Sequence, residues 1–195
     1  MKRIVLTLAL FLQPIWLKGV ILHATPAPCT PGGMIERIFK KTFRGDFRIL
    51  LYAEVGGREV FAIGVERDGR ISGLRRLQAV QTEKGVEEYP VRTLTNCDLP
   101  TWLVPKLEEV IVDALRNVRF PEKRDLSTDS PDVYIVGRGR YFGEILNTYG
   151  GSAGPAASVC RQLIDVVAED AGRSIRIDKL EKFLRSYAGV SKLKD

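Results

Sequence analysis

The stretch "FRILLYAEVGGREVFAIGVERDGRISGLRRLQAVQ", residues 47–81, constrains this chain more than any other. Two β-rich runs, Phe47 to Val55 and Arg58 to Glu66, are separated by Gly56-Gly57, a pair that accepts the positive φ of a two-residue hairpin. Asp68-Gly69 makes a second turn into Arg70 to Gln81. After "TEKG" comes a fourth candidate, Val86 to Thr95, which Pro90 demotes to an edge or a broken strand. Strands this close in sequence form an antiparallel meander, and helices must then cover a sheet face.

Those helices follow in the chain. "LPTWLVPKLEEVIVDALRNVRF" sets Leu103, Leu107, Val110, Ile111, Ala114, Leu115 and Val118 at three- and four-residue steps, which predicts an amphipathic helix. Pro105 sits near its start, where a missing N–H does no harm. "PEKRDLSTDSPD" reads as a polar loop, and "VYIVGRGRYFGEILNT" as two short strands around Gly137-Arg138-Gly139. A helix from Pro155 to Ala171 is expected next, then a last one in "IRIDKLEKFLRSYA" with Ile177, Leu180, Phe183, Leu184 and Tyr187 on one face. "MIERIFKKTF" fits both a helical face and an extended run. The expected fold is α+β: a meander, an amphipathic helix, a β-hairpin and two C-terminal helices packed on the sheet.

The N-terminus speaks to compartment. "MKRIVLTLALFLQPIWLKGVILHATPAPC" has a basic start in Lys2 and Arg3, an apolar run from Ile4 to Leu12 and small residues around Ala24, the layout of a secretory signal. Cleavage is expected after Ala24, although Leu22 is bulky for its place and Lys18 interrupts the apolar run. The competing reading is an uncleaved anchor over residues 4–24, which Gln13, Pro14, Lys18 and His23 weaken. Pro26, Ala27 and Pro28 before Cys29 do not form a lipoprotein signal. Residues 1–24 are thus read as a leader, 25–33 as a Pro/Gly linker and 34–195 as one domain. Without Lys2, Arg3 and Lys18 the formal charge falls from +6 to +3, too little to imply nucleic acid. A membrane partner is expected only if the leader is retained.

The same leader limits the chemistry. The one histidine is His23, so a processed chain has no histidine to activate a serine or cysteine, act as a general base or hold a metal. Cys29, Cys97 and Cys160 lack paired metal spacing, and in an oxidising compartment Cys97 and Cys160 are the preferred disulfide. Among the acids, Glu87 and Glu88 are adjacent and face opposite sides of a strand. Asp125, Asp129 and Asp132 lack the glycine and terminal glutamate of a calcium loop and read as a solvated turn. No Ser-x-x-Lys occurs. No cofactor and no metal are expected.

Three features remain as binding candidates. Gly150, Gly151, Ser152 and Gly154 form a glycine-rich turn before a helix, the geometry that presents free N–H groups to an anion. It lacks the Lys-Ser or Lys-Thr of a phosphate loop, and Pro155 removes an N–H, so a loop with a helix start is the preferred account and anion binding the alternative. "GRGRYFG" has its third glycine one place late for a dinucleotide fingerprint and reads as a hairpin. The last helix is basic through Arg176, Lys179, Lys182 and Arg185, as a solvated surface helix also is. Arg37, Lys40, Lys41, Arg44 and Arg48 alternate with Phe39, Phe43 and Phe47, a pattern suited to single strands but equally made by a half-buried element. The leading expectation is an exported, periplasmic or secreted bacterial-type binding or accessory domain without catalytic activity, its partner an envelope or extracellular protein. The alternatives are an anion binder using the glycine turn or the basic helix, and a carboxylate-dependent hydrolase.

Overall fold

The computed structural model describes residues 21–23, 30–41, 43–83, 85–116, 132–139, 141–147 and 154–191. In chain order the elements are β1 (Ile21–His23), α1 (Pro31–Phe39), β2 (Phe47–Val55), β3 (Glu59–Glu66), β4 (Arg70–Leu77), β5 (Val80–Thr82), β6 (Gly85–Glu87), β7 (Arg92–Asp98), α2 (Leu103–Arg116), β8 (Asp132–Arg138), β9 (Tyr141–Asn147), α3 (Pro155–Ala168) and α4 (Arg173–Ser191). Seven strands form one antiparallel sheet in the order β1-β9-β8-β2-β3-β4-β7, while β5 and β6 make a separate two-stranded ladder.

The expected α+β architecture is the one observed. Gly56 and Gly57 take φ of 56° and 60°, and Arg58 N–H reaches Val55 C=O at 3.1 Å, closing the β2–β3 hairpin. Both central residues at positive φ make this the turn whose twist matches paired strands. β2 and β3 pair along their length and sit in the middle of the sheet, so both of their faces are covered. That is why "ILLYA" and "VFAIGV" read as continuous apolar runs rather than alternating ones.

Alternation sorts the two layers. Ile49, Leu51, Ala53, Phe61, Ile63 and Val65 face the main core, which α2, α3 and α4 complete. Tyr52, Val60, Ala62, Leu74 and Ile135 face the other way and are covered by Met34, Ile35 and Phe39 of α1. "MIERIFKKTF" is therefore helical in its first half. Thr30 caps α1 by accepting Gly33 N–H at 3.1 Å, and Pro31 occupies the first turn, so the helix begins inside the stretch that reads as linker. Phe43 stacks on Phe47 with ring centroids 5.0 Å apart, and Phe39 is buried, so the aromatic and cationic alternation is that of a packed element.

Two strand readings are divided by the structure. Arg70 to Gln81 splits into β4 and β5 around Gln78, whose N–H turns to Arg58 C=O at 2.8 Å. Val86 to Thr95 splits into β6 and β7 on either side of Pro90, and β7 runs on to Asp98. "GRGRYFG" is the β8–β9 hairpin, with Gly139 at φ 58°. β1 pairs with β9 through Ile21↔Leu146, Leu22↔Ile145 and His23↔Glu144, so part of the stretch read as leader lies along the sheet edge.

Candidate functional site

Of the glycine turn, Gly150, Gly151 and Ser152 lie outside the described residues, as do Asp125 and Asp129. Gly154 is buried and N-caps α3 in extended backbone, with no side-chain cap; its carbonyl accepts the first helical N–H, from Ser158, at 3.0 Å. Its place is that of a helix start.

Two of the four basic residues named on α4 are engaged in internal contacts. Arg176 pairs with Glu169 and donates to the carbonyls of Glu169 and Ala171 at 3.2 and 2.9 Å, tying the α3–α4 connection. Arg185 pairs with Glu181 at 2.8 Å and lies over the Trp102 ring at 4.8 Å, with Lys106 over the same ring at 5.3 Å. Lys179 and Lys182 are exposed and, among the described residues, have no acid within ion-pair distance.

The expected Cys97–Cys160 bridge is not formed: both are buried free thiols. Cys97 on β7 lies in the field of Arg173 and Asp170, beyond the C-terminal end of α3, whereas Cys160 lies in the first half of that helix, in the field of Tyr134. At about 1.5 Å per residue, Cys160 lies roughly 12 Å along the axis from that end of the helix. Burial pushes the Cys160 thiol up to about 12 and raises Cys97 as well, which leaves neither suited to nucleophilic or metal chemistry.

Asp132 departs most from its sequence reading. It is not a solvated turn residue but the first residue of β8, only 8% exposed. Asp132 and Tyr134, two apart on a strand, share the face toward α3. Asp132 Oδ1 accepts Gly56 N–H at 2.9 Å, Oδ2 accepts the Tyr134 hydroxyl at 3.0 Å, and Arg161 approaches Oδ2 at 3.6 Å. Arg161 also pairs with Asp165 at 3.3 Å. Burial, then the Asp132 carboxylate beside it, holds the Tyr134 phenol protonated well above its usual range. Both carboxylate oxygens are engaged, so the cluster ties the β2–β3 turn, β8 and α3 together.

A second polar cluster lies on the α1 face. Tyr52 donates to Glu54 Oε1 at 2.6 Å, and burial above all, then that bond, keeps the phenol protonated. Across the sheet Glu54 pairs with Val60, and Val60 with Arg76, so the three make one row. Arg76 is only 9% exposed; its one hydrogen bond among the described residues carries a guanidinium N–H to Ile38 C=O at 2.8 Å, in the last turn of α1. Its Nε is buried without a partner. Among the described residues no acid lies within ion-pair distance of Arg76, because Glu54 is turned to Tyr52 and Glu88 binds Lys40 at 2.9 Å. Arg37 stands nearby, exposed, donating to Met34 Sδ at 3.1 Å.

Sequence reasoning passed over Arg76 and Tyr52. The available signal was period two: in "SGLRRL", Arg76 shares a strand face with the buried Leu74, so one arginine of the pair had to point inward. Glu87 and Glu88 do not converge on a common site; Glu88 straps the segment after β6 to the end of α1 through Lys40. Among the described residues no group of three or more histidine, cysteine or acidic side chains is placed to hold a metal. No family model matches the chain, and neither does any curated protein or solved structure.

Proposed function

We propose that the chain is an exported, periplasmic or secreted binding or accessory domain that acts through its surface without chemistry of its own. The observation that supports it is the β5–β6 hairpin. It leaves the sheet after β4, forms its own short ladder and exposes Leu77, Val80 and Val86, the last at 62%. A hairpin of this size is marginal in water by itself, so apolar side chains along it suit contact with a partner. The leader layout supports export, and among the described residues no helix is long and apolar enough to cross a membrane. A cut after Ala24 removes Ile21–His23 and leaves β9 as a sheet edge.

The test is capture from an envelope fraction by the immobilised chain, compared with a Val80→Thr, Val86→Thr variant of equal stability. A partner retained by the parent and lost by the variant supports the reading; equal capture by both removes the hairpin from it. Intact mass from the native host, with and without reduction, checks export separately: a mass starting at Thr25 is expected.

Anion binding is the second reading. On α4 it rests on Lys179 and Lys182, since Arg176 and Arg185 are engaged. The observation that favours it elsewhere is the unpaired Arg76.

A further inference from the structure

Arg76 poses a charge problem that the fold does not resolve. A guanidinium nine-tenths buried ordinarily faces a carboxylate, because a cation taken out of water without a counter-charge is costly. Arg76 has one backbone carbonyl and a buried, unpartnered Nε. Arg37 and Arg76 both act on Tyr52, and Arg76 acts on Glu88, so these charges share one neighbourhood. Of the acids in this neighbourhood, Glu88 pairs with Lys40 and Glu54 accepts from the Tyr52 hydroxyl. Neither of them comes within ion-pair distance of Arg76.

We propose that Arg76, with Arg37 beside it, is the seat for a single carboxylate carried by a ligand, entering at the C-terminal end of α1. A buried guanidinium with no carboxylate within ion-pair distance suits an anion, and the planar fork of Nε and a terminal nitrogen fits the two oxygens of a carboxylate. Ile38 C=O holds the other terminal nitrogen, which fixes the plane of the fork. The inference deepens the binding-module reading by naming a chemistry for the partner: an acidic side chain or chain terminus, or a free organic acid. Arg76 immediately precedes Leu77, where the exposed hairpin departs, so the seat and the hairpin are neighbours along the chain.

The experiment is an acetate titration of the full chain, followed on the Arg76 Nε–H resonance, with chloride at matched ionic strength as the control. A saturable shift with acetate and none with chloride is expected. The shift should be lost in Arg76→Gln and weakened about tenfold in Arg37→Met, the size of one lost charge-assisted contact. Tighter binding of a short acidic peptide than of acetate assigns the carboxylate to a polypeptide; equal binding assigns it to a free acid. Parallel, unsaturable drifts with acetate and chloride overturn the seat, and saturation by phosphate but not acetate overturns the carboxylate. If Arg76→Gln does not fold, the parent titration and Arg37→Met decide. Val80→Thr, Val86→Thr should leave acetate binding unchanged, so failure of the hairpin reading and failure of the seat are told apart.

Discussion

Replacing Asp132 by Ala is the sharpest test of how β8 is tied to the β2–β3 turn and to α3. The substitution removes the acceptor of the Gly56 N–H and of the Tyr134 hydroxyl. Tyr134 is fully buried, so its O–H is left without a partner in the core, a penalty of about 1–3 kcal/mol. Losing the Gly56 bond at the turn adds about 1 kcal/mol, for about 3 kcal/mol in all. For a domain of this size that is a fall in Tm of about 6–12 °C. Urea unfolding followed by circular dichroism measures it, with a constant m-value showing that the denatured state is unchanged. The mechanism is tested by the sign of a second substitution. Tyr134→Phe should destabilise the parent by about 1 kcal/mol but stabilise D132A, because there it removes the orphaned hydroxyl. If Tyr134→Phe destabilises both backgrounds equally, the buried hydroxyl is not what Asp132 serves and the argument fails.

Four further outcomes are expected. Gly73→Ala should cost about 1–3 kcal/mol, since its Cβ would lie 2.7 Å from Val167 Cγ1; combined with Val167→Ala, the total should be less than the sum of the single changes by denaturant titration. Cys160 should resist a thiol reagent in the native chain at pH 8 and react at the rate of unfolding. The same thiol links stability to pH: its folded pKa of about 12 lies above the unfolded value near 8.5, so its contribution is whole below that value and is lost as pH rises toward 12. A Cys160→Ala variant should show a shallower alkaline fall in urea titrations across this range. Arg185→Met should cost no more than about 1 kcal/mol, because the stack on the partly exposed Trp102 is accessible to solvent, and it should change Trp102 emission.

The legible part of this fold was carried by local chemistry. Gly56-Gly57 declares its hairpin because only residues tolerant of positive φ close that turn, and α2 declares itself by six apolar positions on one stripe, Leu103, Leu107, Val110, Ile111, Ala114 and Leu115, the seventh, Val118, lying outside the described residues. α1 was only half legible: Met34, Ile35 and Phe39 are its core residues, but the cap that starts it, Thr30, lies among prolines that read as linker. The buried role of Asp132 was not legible at all. It depends on Gly56, 76 residues away, and on a helix that follows, and a polar loop composition masks both. The Cys97–Cys160 pairing failed for a related reason: being in one folded domain does not bring two thiols within bonding distance.

The two polar clusters differ in a way that bears on function. Around Asp132 the carboxylate is matched by an N–H, a hydroxyl and a guanidinium, so the cluster is complete without any other molecule. Around Arg76 the matching stops short, although Glu54 stands in the same row two strands away and Glu88 lies close by. At a strand spacing of about 4.8 Å, Glu54 and Arg76 have their Cα atoms roughly 10 Å apart, a gap their long side chains can bridge over Val60. Instead each turns away, Glu54 to Tyr52 and Arg76 to Ile38 C=O. If that division serves only α1, an Arg76→Met variant should be at least as stable as the parent, with the apolar stem kept and the buried charge gone. If it keeps a guanidinium ready for an incoming carboxylate, the parent must gain stability with acetate, by an amount that R76M does not share.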